Sequence, residues 1–159
     1  MSAMPSSIAK AVIMTARSLA LLAVLALSGL AAPHAAAAGQ KILTLLSSGD
    51  AEAQAFSLIL ANEARGAGHA VDLVLCGAAG DIALKTAPAA AMRPVTPTGL
   101  SVRALLDKLV GQGGKVELCA IYLPNRQLKP DALMDGVAVG KPAEVAARMA
   151  DAAVKVVSP

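Results

Sequence analysis

Residues 41–75 fix the class of fold this chain can adopt. Lys41–Leu46, KILTLL, is a short apolar run typical of a strand buried on both faces, and Ser47-Ser48-Gly49-Asp50 supplies the turn after it. Ala51 to Arg65 then reads as a helix, in which Phe56, Leu60 and Ala64, with Ile59 and Ala67 beside them, recur at helical spacing. Asp50 is a natural N-cap, Glu52 complements the helix dipole, and Gly66 and Gly68 stop the helix. Ala70–Leu75, AVDLVL, is a second strand that ends at Cys76-Gly77. Strand, helix and strand at this spacing form a βαβ unit, and such units build parallel sheets.

The rest of the chain repeats the alternation. Residues 80–85 suit a short helix, and Pro88, Pro94 and Pro97 break 86–98 into a loop or flap over one end of the sheet. Gly99 to Val110 reads as an amphipathic helix, capped by Ser101, with Leu105, Leu106 and Leu109 as its buried stripe. Lys115–Ile121 is a third strand, and Asp131–Asp135 makes one helical turn. Val137–Val139 is a short fourth strand, Ala143–Ala152 a last helix opened by Pro142, and Val154–Val157 a fifth strand. The expected product is one α/β domain, a three-layer α/β/α sandwich around a mainly parallel sheet of about five strands, spanning residues 39–159.

Residues 1–38 read as a signal peptide rather than as part of that domain. Lys10 and Arg17 make a positive n-region, no acidic residue precedes Asp50, and Ser18–Leu30 is an apolar run of h-region length. The small-residue tract after it offers Ala-x-Ala frames ending near Ala38. An uncleaved anchor is the alternative, but the run is shorter than the roughly 20 apolar residues that a spanning helix needs. With no cysteine near the cleavage region a lipoprotein is excluded. The absence of an Arg-Arg pair favours the general export route over the twin-arginine one. Export to the periplasm is the expected outcome, with no membrane association after cleavage.

Export changes which charges count. Without Lys10 and Arg17 the domain holds 12 basic and 11 acidic residues, a net charge of +1 that indicates no anion-binding surface. Phe56 and Tyr122 are its only aromatic residues, which leaves no stacking platform for single-stranded nucleic acid. Nucleic acid is excluded as an expected partner.

The chemistry converges on Cys119, at the end of the third strand, where an open α/β sheet usually places ligands. A thiolate is the nucleophile of persulfide and disulfide chemistry, and a free cysteine with a pKa of roughly 8.5 is only a few per cent ionised at neutral pH. A helix N-terminus and Arg126 nearby would raise that fraction. A small buried hydrophobe is the other reading of such a cysteine. Cys76 ends the second strand, so it lies on the same edge of a parallel sheet. In an oxidising compartment the two could pair, closing a 43-residue loop worth about 4 kcal/mol by chain entropy. Sequence alone supplies neither the separation nor the directions that decide such a bond.

Other candidates reduce to structure. His69 has no Cys or His partner at ligand spacing and reads as a turn residue, so no metal is expected. Asp50 and Glu52 read as cap and first-turn acid rather than a catalytic pair. Ser48-Gly49 could offer amides to an anion, but no Walker lysine follows, and Gly111, Gly113 and Gly114 end a helix instead of opening one. No cofactor is expected.

From KILTLLSSGD through GHAVDLVLCGAAGDIAL and GLSVRALLDKLVGQGGKVELCA to DGVAVGKPAEVAARMADAAVKVV, the domain resembles the DsrE/DsrF-like family. The resemblance implies a three-layer sandwich that forms homo-oligomers and acts in sulfur relay with a sulfur donor or acceptor protein. It also implies that sulfane sulfur is carried as a persulfide on the cysteine matched by Cys119, with Arg126 near the family's arginine. Gln127 stands where the family's Arg-Gly pair has glycine, Tyr122 where some members carry a second cysteine, and the export signal departs from the cytoplasmic members. Three functions follow as expectations. They are a periplasmic sulfur carrier or sulfurtransferase using Cys119, a non-catalytic oligomeric binding module, and a thiol/disulfide protein of peroxiredoxin-like chemistry with Cys76 as resolving partner. No CxxC motif supports the third.

Overall fold

The structure is a computed structural model that describes residues 39–158; the leader expected over 1–38 lies outside the described residues. β1 (Lys41–Leu46), α1 (Ala51–Gly66) and β2 (Ala70–Leu75) open the domain. A 3-10 segment, Gly77–Ala83, leads to a small hairpin of β3 (Pro94–Val95) and β4 (Leu100–Ser101), then α2 (Val102–Gly111) and β5 (Lys115–Cys119). A single helical turn, α3 (Tyr122–Asn125), precedes β6 (Val137–Gly140), α4 (Pro142–Ala150) and β7 (Val154–Val157).

Five strands form one sheet in the order β6-β5-β2-β1-β7, and every neighbouring pair is parallel. The chain steps outward from β1 to β6, then returns to the far side of β1 as β7. Crossovers between parallel strands are right-handed, so reversing the direction of travel moves the connecting helix to the other face. α1 and α2 accordingly cover one face, and α4 crosses the other. The expected three-layer sandwich is the observed one.

Strand alternation assigns each side chain to a face. Leu73 and Leu75 of β2 and Val116 and Leu118 of β5 enter the main core with Leu58, Leu106, Leu109 and Tyr122. Asp72 and Val74, with Glu117 and Cys119, point to the opposite face, toward α4. The caps follow the sequence: the Ala53 amide donates to Asp50 Oδ1 at 2.8 Å, and the Ala104 amide to Ser101 Oγ at 3.1 Å.

Four readings need correction. α1 packs through Ala55, Leu58 and Ala61, flanked by Gln54, Ser57 and Asn62, while Phe56 and Leu60 are 59% and 50% exposed. The helix carries two apolar stripes, and the one with small residues is the one that seats against the sheet and α2. α2 starts at Val102, because Leu100 and Ser101 belong to the hairpin, and β5 stops at Cys119 rather than at Ile121. The proline-rich segment is a hairpin packed against α1, with Ala91 and Val95 on the main core, rather than an open loop.

Candidate functional site at the carboxyl edge of the sheet

β2 and β5 run parallel with Leu75 opposite Leu118, so one residue further on Cys76 comes opposite Cys119. The two form a disulfide, with their Cα atoms 5.2 Å apart, inside the range such bonds span. The geometry that the sequence left open is therefore supplied by the register. In this state Cys119 is not the free thiol expected of a carrier, and among the described residues no cysteine is free. Both cysteines are half-buried.

Arg126 is committed elsewhere. Its Nε lies 3.3 Å from Asp81 Oδ1, an Nη donates to the Gly77 carbonyl at 3.3 Å, and the guanidinium stacks 3.9 Å from the centre of the Tyr122 ring. Arg126 thus borders the segment that follows Cys76 and orders Asp81. The helix after Cys119 is the single turn α3, which supplies no extended dipole.

Tyr122 is buried, and its hydroxyl donates to Asp81 Oδ1 at 2.5 Å. Burial first, and that hydrogen bond second, push its pKa well above the ordinary tyrosine value. Gly80 permits the approach, because a Cβ there would collide with the Tyr122 ring. Gln127 has φ +55°, the left-handed conformation that glycine would adopt without cost. A glutamine therefore occupies a turn position that would suit glycine.

Sequence reasoning passed over the ionic cluster on the same face. Arg148 of α4 reaches the sheet with Nη1 3.0 Å from Asp72 Oδ2 and Nη2 paired with Glu117 Oε2, and Lys115 Nζ lies 3.0 Å from Glu117 Oε1. Glu117 is only 4% exposed. The signal was available as two acids, Asp72 and Glu117, inside strands that are otherwise apolar. Between this cluster and the disulfide lies a groove of about 300 Å³, walled by Val74, Cys119 and Ile121 on one side and Pro142, Val145 and Met149 on the other.

The remaining candidates stay structural. His69 Nδ1 accepts from the Gln40 amide at 3.0 Å, and the Asp50 amide donates to Ser48 Oγ at 3.1 Å. Among the described residues, no three His, Cys, Asp or Glu side chains converge as a cation site, and no helix is long and apolar enough to cross a membrane.

A mainly parallel five-stranded sheet with helices on both faces is an α/β fold of the DsrE/YchN type. The ychN protein of E. coli superimposes with a TM-score of 0.59 at 24% identity, over 74% of this chain and 99% of that one. MTH1491 of Methanobacterium thermoautotrophicum, a protein of unknown function, gives a TM-score of 0.52 at 16% identity, over 76% of this chain and 99% of that one. Both likenesses are of fold. No protein-family model and no curated protein matches the chain.

Proposed function

We propose that the chain is an exported sulfur-handling protein that works through Cys119, with Cys76 as the resolving cysteine. The observation that carries this reading is the cross-strand Cys76–Cys119 disulfide at the carboxyl edge of the sheet. Such bonds persist in oxidising compartments, which is where a cleaved 1–38 leader would deliver the domain. In the reduced state Cys119 takes the outer sulfur of a persulfide donor R–S–SH, releasing R–SH. Cys76 then attacks the inner sulfur of the Cys119 persulfide, which re-forms the disulfide and releases hydrosulfide. Its proximity makes the persulfide a transient species rather than a stored one. Arg126 acts in this scheme as a positioning residue, through Asp81 and the Gly77 carbonyl.

Mass spectrometry of the reduced domain after exposure to a persulfide donor tests this. Cys76→Ser should retain one added sulfur atom on Cys119, whereas the wild type should lose it and return to the disulfide with hydrosulfide released. No adduct on Cys119 in Cys76→Ser, across several donors, would sink the proposal and leave a non-catalytic binding module.

A homo-oligomer belongs to the same proposal. Phe56 and Leu60 of α1 form an exposed apolar groove with Val157 of β7, which a second copy of the chain would cover. A monomeric mass by light scattering would remove this part.

A further inference from the structure

The groove beside the disulfide has a composition that selects among sulfur partners. Its walls are Val74, Ile121, Pro142, Val145 and Met149 with Cys119, Ala120, Gly140 and Ala146, so Cys119 sulfur is the one reactive group in an otherwise apolar lining. Ile121 and Met149 stand 64% and 47% exposed on opposite walls. The cations on α4 and its approach are occupied: Lys141 by Glu144 at 2.8 Å, and Arg148 by Asp72 and Glu117. Cys76 does not line the groove. A partner seated there therefore meets Cys119 first, and it finds apolar surface with no counter-charge for an anion.

We infer that this groove docks an apolar polypeptide segment carrying cysteine thiols, and that Cys119 is the sulfur which such a thiol attacks. The inference rests on the reading of Cys76 and Cys119 as an exchanging pair and adds the class of substrate. The partner thiol loses its proton to solvent, and its thiolate bonds to Cys119 Sγ. The Cys76–Cys119 bond breaks, and the electron pair leaves on Cys76 sulfur, which takes up a proton. A second thiol of the segment then attacks the partner's own sulfur in the mixed disulfide and releases Cys119. The segment is oxidised to a disulfide and the pair is reduced to a dithiol, so the protein's own disulfide is the oxidant. Small anionic thiols and oxyanions of sulfur gain nothing from this lining.

The test uses the oxidised protein, a leucine- and valine-rich peptide with two cysteines, and glutathione as the anionic comparison. Exchange rates at matched thiolate concentration should favour the peptide, with the trapped mixed disulfide on Cys119. Met149→Gln, at an exposed position of one wall, should cut the ratio of peptide to glutathione rates by about tenfold, the neutral amide removing apolar contact without repelling an anion. Ile121→Asn on the other wall should do the same, which separates a lost groove from a loosened α4. Equal rates for the two thiols, insensitivity to both variants, or an adduct on Cys76 would overturn the docking site while leaving the pair's chemistry standing. No exchange with any thiol would end both readings.

Discussion

Leu73 and Val74 are neighbours on β2 that face opposite sides of one sheet. Leu73 enters a core shared with α1, α2 and Tyr122, where leucines from five elements are fully buried. Val74 faces α4, a helix with no fully buried residue, held by the fork from Arg148 to Asp72 and Glu117. One face is built by close apolar packing under two helices, whereas the other sets the ion pairs of Arg148 beside buried Leu43 and Val74 under a helix that buries none of its own residues. The candidate chemistry sits on the second. A packed core has no room for a ligand, whereas the thinly covered face leaves a groove beside the sulfur.

The sharpest way to break this comparison is to truncate both neighbours. Leu73→Ala should lower unfolding free energy in denaturant titrations by about 4 kcal/mol, and Val74→Ala by less than half of that. Equal costs would mean that the α4 face is packed as tightly as the other. A smaller effect is expected from Arg148→Met, about 2 kcal/mol, because it leaves Glu117 buried with Lys115 as its remaining cation. Adding Glu117→Gln to that variant should recover much of the loss, and a full additive cost would show that the fork is not what holds α4.

The smallest effect concerns Tyr122 and shows only in alkali. Its folded-state pKa is raised, so the folded protein holds the phenolic proton more tightly than the unfolded chain, whose tyrosine ionises near pH 10. The associated stability is fully present below about pH 10 and is lost as pH rises from there toward the folded value. As Tyr122 is the only tyrosine, tyrosinate absorbance should grow together with loss of helical signal. Ionisation at the ordinary tyrosine pKa in a still-folded protein would contradict the packing described for the apolar face.

Much of this architecture was legible in the chain. β1 and β2 are short apolar runs bounded by Ser-Gly-Asp and Cys-Gly turns, and their limits coincide with the observed ones. The capping residues Asp50 and Ser101 were equally plain, because a cap is a local interaction. Which stripe of α1 is buried was not, since Phe56-Leu60-Ala64 and Ala55-Leu58-Ala61 both satisfy helical periodicity and tertiary contacts choose between them. The disulfide was visible as a shared edge but not as a bond, because the register of β2 against β5 is a long-range property. Arg148 was unreadable for a similar reason. It meets Asp72 across 76 residues of chain.

The disulfide divides the polypeptide into a closed ring and two arms. The 43-residue separation between Cys76 and Cys119 places the hairpin, α2 and nearly all of β5 inside the ring, and β1, α1, β6, α4 and β7 on the arms. A tension applied at the two ends of the domain, by an unfoldase or a tethered partner, would extend the arms while the ring stays slack. About 150 Å of contour would be withheld until the sulfurs part. The redox state of one pair of side chains thus sets how far this domain can be drawn out, independently of how firmly it is folded.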